Sequence, residues 1–530
     1  MNPATQTPPS RFPFFRHCLR AVFSRKMLYA VIIFITLIAL GYAVENFRGA
    51  RAWESYRKDA EARGVKLDFA AHIPPPIPDA ENGANTPWIQ SWFIRPKSGD
   101  TNQWAELRRQ NTNQWPEIFL LAQQKYNTAR SRRTDERRLA DFVAWQQAFA
   151  NARAKTKPQR TVQIERDAQQ QSQAALAVLE ELKIYQPVLD ELRAASTKPR
   201  IRYPVDYKLD EPFSILLPHL GRIKGTVLEL GLQSCAELAA DRTEDAFKDV
   251  QLMLWLTESV RDESFLINQL VRIACLQITT QTIWEGLAQH KWTDAQLQTL
   301  EERLGQIDFF SNIENSMNME RAGGITTIEW VRTKGNMAAL MNPGEDGNVL
   351  KPMSGFLLGR LAPRGWFRME AVNYGRMMEA NLEGVIDPLK RTINFKKLEA
   401  NNRDRSNKFA SGITILTQHR VIARLILPAL DTAWRKFVLA QNTVEEAALA
   451  CALERHRLAT GQLPETLGAL VPKFIARLPH DPFNGAPLKY ERIGETDFVL
   501  SSVGWDQRDE EGAAVKVLAK RTDWIWRSAP

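Results

Sequence analysis

From Met27 to Val44 the chain reads MLYAVIIFITLIALGYAV, a run without a charge, with Lys26 before it and Glu45 after it. As a helix it would be about 27 Å long, close to the roughly 30 Å of a bilayer's hydrocarbon core. The pattern predicts one transmembrane helix, continued as an amphipathic stalk through Trp53, Tyr56 and Ala60. Arg63-Gly64 is the expected stop, Gly being the usual residue just past a helix. The run Ile73-Pro74-Pro75-Pro76-Ile77-Pro78 favours polyproline II and reads as a semi-rigid spacer, the alternative being a ligand for an aromatic groove. Helical periodicity then dominates from about 115 to 307. Ala246, Phe247, Val250, Met253 and Leu254 share one face, behind a cap at Thr243. A second helix follows from about Ser264 through Leu266, Leu270, Ile273 and Leu276, and Thr293-Asp294-Ala295-Gln296 is a capping box for a third. The short turns between them favour antiparallel neighbours. Turn signals at Asn342-Pro343-Gly344, Asp346-Gly347 and Ala362-Pro363-Arg364-Gly365 interrupt the pattern over 333–365, a long loop or lid. Helices resume over about 366–386 and 420–459.

The expected architecture is mainly α: a single N-terminal transmembrane helix, a body of antiparallel helix hairpins, and a small C-terminal α/β tail with a short antiparallel hairpin. The expected layout is a basic tail (1–26), the membrane helix (27–44), a stalk and spacer (45–80), a helical body (81–440) and the tail module (441–530). The body resembles tetratricopeptide-type helix hairpins in texture, without that family's diagnostic residues at a 34-residue period.

Charge changes the picture chiefly at the N-terminus. Arg11, Arg16, Arg20, Arg25 and Lys26 precede the apolar run with no Asp or Glu among them, and they account for +5 of the chain's net +9. A one-sided Lys/Arg flank predicts a cytoplasmic N-terminus, with residues 45–530 on the far side of a bacterial inner membrane, periplasmic or extracytoplasmic. A cleaved signal peptide is the alternative reading, with Gly41-Tyr42-Ala43 as a poor cleavage site. The basic excess is thus an orientation signal, which removes the argument for nucleic acid as a partner. A second basic run holds ten Lys/Arg between 125 and 160, and reads as a solvated helix face. The expected partners are membrane lipid through 27–44 and other envelope proteins. The chain has four cysteines, Cys18 in the tail and Cys235, Cys275 and Cys451 beyond it. That is no disulfide framework; buried thiols are expected, with one Cys235–Cys275 bridge as the alternative.

Toward the C-terminus the pattern becomes specific. The helix ends near Gly461, Leu463-Pro464-Glu465-Thr466 opens a short helix, and Asp481-Pro482-Phe483 leads to a turn at Asn484-Gly485. Strands are expected over 488–492 and 498–503, then an acidic loop from Gly504. Residues 444–512 resemble the C-terminal part of the major pseudopilins of type II secretion systems, and the tails of other membrane-anchored bacterial proteins. The resemblance implies a link to secretion machinery. It also implies calcium in the acidic loop, with Asp506, Asp509 and Glu510 as ligands, although Gln507 stands where the pattern has Gly; a solvated hairpin loop is the alternative.

Catalytic signatures are sparse. His219, His290, His419, His456 and His480 lie apart and read as structural or surface histidines, and Glu445, Glu446 and Glu454 as ion-pair partners of Arg455 and Arg457 on one helix. No cofactor is expected. The function read from the sequence is a non-enzymatic helical binding or scaffold module on a single-pass anchor. The alternative is a hydrolase or glycan-processing enzyme with its site between the helical body and the 333–365 loop.

Overall fold

Side-chain caps set several of the helix boundaries in this protein. In the computed structural model, the described residues are 25–94, 119–124, 137–154, 167–208, 211–334, 359–387, 390–409, 418–504 and 524–528. They are mainly helical, with helices α1 (Arg25–Ala62), α2 (Pro87–Ser91), α3 (Phe142–Arg153), α4 (Ala168–Leu182), α5 (Gln186–Ala195), α6 (Pro218–Ala239) and α7 (Thr243–Glu258). These are followed by α8 (Leu266–Ala288), α9 (Asp294–Gly305), α10 (Phe310–Lys334), α11 (Arg364–Leu382), α12 (Phe395–Phe409), α13 (Val421–Ile426) and α14 (Pro428–Thr460). Asp141 and Asp167 cap α3 and α4, their carboxylates accepting from the Ala144 and Gln169 amides. The capping box at Thr293 forms as expected, with Gln296 accepting from the Thr293 amide at 3.0 Å. At Thr243 the expectation is corrected. Thr243 is the first helical residue, Arg242 holds the cap position, and no side chain caps α7. The expected helix over 420–459 is in fact two, because Pro428 has no amide proton to continue the ladder and opens α14 instead.

The chain divides into two units. The first gathers Met1–Leu67, Gly324–Arg376 and Ser411–Ala423. Its frame is α1, whose Arg25–Ala62 span continues the apolar run into the predicted stalk without a break. Among the described residues α1 is the one helix long and apolar enough to cross a membrane. Its apolar run is exposed, whereas Gly49, Tyr56 and Ala60 are buried. Gly64, with φ of 74°, stops the chain where the sequence predicts.

The second unit gathers Asp68–Gly323, Met377–Ala410 and Arg424–Pro530. Here α6 packs on α4, α7 and α8; α14 packs on α8 and α9; and α3 packs on α4. Of the three helices expected as neighbours, α7 packs on α8, and α7 also packs on α6 across a three-residue connection. Cys235, Cys275 and Cys451 are buried, unbridged thiols, as expected, and the alternative Cys235–Cys275 bridge is not formed. Strands β1 (Ile386–Asp387) and β2 (Thr392–Ile393) form a minimal antiparallel ladder. At the C-terminus, β3 (Lys489–Ile493), β4 (Asp497–Ser502) and β5 (Trp524–Arg527) form an antiparallel sheet in the order β3-β4-β5. Phe498, Leu500 and Ser502 face inward, as the alternation predicts. Strand β5 is an addition to the expected hairpin. The Trp284 indole donates to the Arg527 carbonyl at 2.7 Å and ties β5 to α8.

Candidate functional site

Two clusters of polar side chains stand out, one in each unit. The first lies where α1 leaves its uncharged run. Residues 42, 45, 46 and 49 fall on adjoining turns of α1, and each meets a segment distant in sequence. The Tyr42 hydroxyl donates to the Leu361 carbonyl. The Glu45 carboxylate pairs with His419 Nε2, and Asn46 Oδ1 accepts from the Gly365 amide at 2.7 Å. One turn on, α1 and α11 cross at two glycines: a Cβ on Gly49 would fall 2.1 Å from the Gly365 carbonyl oxygen, and one on Gly365 would fall 2.2 Å from the Glu45 carbonyl oxygen. Only glycine permits that approach. Gly375 gives the same room to the Tyr56 hydroxyl, and Gly324 to the Tyr374 ring.

His419 itself is held from three sides. Its φ of 56° marks a tight turn, the Trp366 ring lies 5.8 Å away, and Asn373 donates to the Gln418 and His419 carbonyls at 2.8 and 2.9 Å. Glu370, fully buried, accepts from the Val421 and Ile422 amides at 2.6 and 3.1 Å. These bonds occupy the unpaired amides at the start of α13, the position at which a carboxylate is favoured. Burial nonetheless pushes the Glu370 carboxyl up to about 7, against the pull of those amides.

The second cluster is a polar stripe inside the other unit. Glu229, Gln233 and Glu237 recur every four residues along α6, so they share a face, and all three are buried. Asp249 on α7 meets them: Gln233 donates to Asp249 Oδ2 at 2.6 Å and Arg193 of α5 to Oδ1 at 2.5 Å. Burial pushes Asp249 up to about 6, against the pull of Arg193. Burial and then the Asp249 charge push Glu237 up to about 8. Glu229 has no hydrogen-bond partner for either oxygen among the described residues, and burial raises its carboxyl well above the usual range. The stripe is a set of buried carboxyls enclosed by helices, with Arg193 and the Gln233 amide on Asp249 and Arg242 3.8 Å from Glu237.

The sequence-predicted residues are dispersed. The calcium candidates Asp506, Asp509 and Glu510 lie outside the described residues. Among the described residues no three His, Cys, Asp or Glu side chains come together as a metal site. His219 is stacked between Tyr203, 4.5 Å away, and Phe93, 5.5 Å away. Neither of its ring nitrogens has a partner among the described residues, and burial lowers it to about 3, so it is a neutral core ring. His290 and Arg457 both meet Glu454, at 2.9 and 2.7 Å. His456 meets the Gln462 carbonyl at 3.0 Å, and His480 forms a lone β-bridge with Pro487. Of the expected ion pairs on α14, Glu454–Arg457 forms. Glu445 instead pairs with Arg391 at 3.0 Å, and Arg455 with Asp294 at 3.0 Å. Glu446 is buried and pushed up to about 8, against the pull of Arg137, whose guanidinium lies 3.8 Å over the Trp526 ring. Sequence reasoning missed the α6 stripe; its signal was the four-residue recurrence of Glu and Gln inside an apolar helix. The glycine crossing leaves no such signal.

Comparison of the chain with protein-family models, with curated proteins and with solved structures found no match in any of the three.

Proposed function

We propose that this chain is a single-pass, membrane-anchored envelope protein of the bacterial inner membrane, with its N-terminus cytoplasmic and its helical body outside. The observation that carries the reading is the contrast along α1. The uncharged run is exposed, while the same helix is packed from Gly49 onward. Eighteen apolar residues facing water are costly, and a bilayer covers them without further structure. In this reading the body is a non-enzymatic binding or scaffold module. Its raised-pKa carboxyls support that part, because they are enclosed between helices instead of lining a cleft open to a substrate. A link to secretion machinery rests on the resemblance of residues 444–512.

The test is crosslinking in intact membranes followed by mass spectrometry of the captured species. The reading expects one envelope protein captured reproducibly and well above an unrelated single-pass protein used as control. Capture no better than the control would overturn it.

A further inference from the structure

The junction in the first unit does more than fix α1: it gathers arginines. Arg48 and Arg51 lie on α1 one to two turns past Val44. The Tyr42–Leu361 and Asn46–Gly365 bonds bring Arg360, Arg364 and Arg368 to the same level, and the Glu45–His419 pair brings Arg420. Arg48, Arg51, Arg360 and Arg364 are exposed. The described stretches 44–51, 359–370 and 418–423 hold these six arginines and two carboxylates. Glu45 is held by His419 and by Arg48 at 3.4 Å, and Glu370 by the Val421 and Ile422 amides. Between the arginines, Phe47 and Leu361 are 67% and 62% exposed. Four exposed arginines with two protruding apolar side chains, at the foot of an exposed apolar helix, match one surface: charged headgroups above acyl chains.

Resting on the reading of α1 as membrane-spanning, we infer that this arginine collar binds the phosphodiester headgroups of anionic phospholipid in the leaflet from which α1 emerges. Phe47 and Leu361 enter the interface beside them. Guanidinium suits this role because its donors match two phosphate oxygens at once. The N-terminal basic tail would act on the opposite leaflet, so the two positive zones differ in both sequence and side.

The experiment uses the full chain reconstituted in phosphatidylcholine vesicles with a trace of spin-labelled phosphatidylglycerol or spin-labelled phosphatidylcholine, and measures the lipid immobilised at the protein by electron paramagnetic resonance. The wild type should prefer the anionic label by about fivefold or more, since each basic side chain at such a surface favours anionic lipid by that order. In a background with Arg11, Arg16, Arg20, Arg25 and Lys26 replaced by Gln, which silences the opposite leaflet, the quadruple variant Arg48→Gln, Arg51→Gln, Arg360→Gln, Arg364→Gln should lose most of the preference that background retains. The matching Arg→Lys variant should keep most of it, and Arg57→Gln with Lys58→Gln, further along α1, should leave it unchanged. About 1 M salt, which shortens the screening length to roughly 3 Å, should weaken it. A quadruple Gln variant as selective as that background would overturn the inference and leave the collar to a protein partner. Failure of the anchor reading is seen separately, as protein washed from vesicles of either composition at alkaline pH.

Discussion

Buried titratable side chains set this protein's response to pH. Glu237 and Glu446 are pushed up to about 8, Glu370 to about 7 and Asp249 to about 6. A carboxyl whose pKa rises on folding takes up a proton as the chain folds. Its contribution is therefore full below about pH 4.5 and is lost as the pH rises through the folded value. His219, lowered to about 3, acts in the opposite sense, because the unfolded ring gains a proton below about 6.5 and the folded ring does not. From these groups thermal stability should therefore fall steadily from about pH 5 toward pH 8.5, the four carboxyls outweighing His219, with a loss of about 2 kcal/mol or more between pH 6 and 8.5. A melting temperature flat or rising from pH 6 to 8.5 would contradict these assignments. His219→Phe should keep the stacking on Tyr203 and Phe93 and steepen the gain in stability as the pH falls below about 6, as read by the same melting curves. Glu229→Gln should be tolerated at neutral pH, with a change under about 1 kcal/mol, because burial raises the Glu229 carboxyl well above its usual range and so favours the neutral form that the amide mimics. A loss of several kcal/mol would show that Glu229 is ionised. These effects were only half legible in the sequence. Periodicity marks α6 as buried, but a buried carboxyl looks like a surface one until the neighbouring helix is placed.

At the scale of elements, α1 packs closely on α11. The Gly49–Gly365 crossing leaves no space for a methyl group, and overpacking of this kind costs about 1–3 kcal/mol. Gly49→Ala should lower the melting temperature of the full chain in detergent and speed amide exchange over 359–376. Gly41→Ala, at a glycine with nothing within 4 Å, should do neither. Equal effects from both would contradict the crossing. Helix existence and the hairpin β3–β4 were readable because period and turn chemistry are local: Thr293, Gly461 and Asn484-Gly485 all act where the sequence places them. The α1–α11 contact was not readable, since 319 residues separate Asn46 from Gly365 and a glycine carries no record of what approaches it. Strand β5 was missed for a similar reason. Its four residues, Trp524-Ile525-Trp526-Arg527, have strand character, but their partner β4 lies beyond the acidic loop.

For the whole molecule, the account makes α1 the element that decides where everything else works. The uncharged run and its exposure motivate the membrane reading, and the five Lys/Arg before the run motivate its orientation, with the proposed arginine collar at the other end. The three cysteines of the body are buried, which makes the chain suited to thiol mapping. The most direct measurement is labelling of intact cells with a membrane-impermeant maleimide, using Glu61→Cys at an exposed position of α1 beyond the membrane segment, with the native Cys18 on the other side. The account predicts that Glu61→Cys labels in intact cells and Cys18 only after permeabilisation. Cys18 labelling in intact cells while Glu61→Cys stays protected would contradict it.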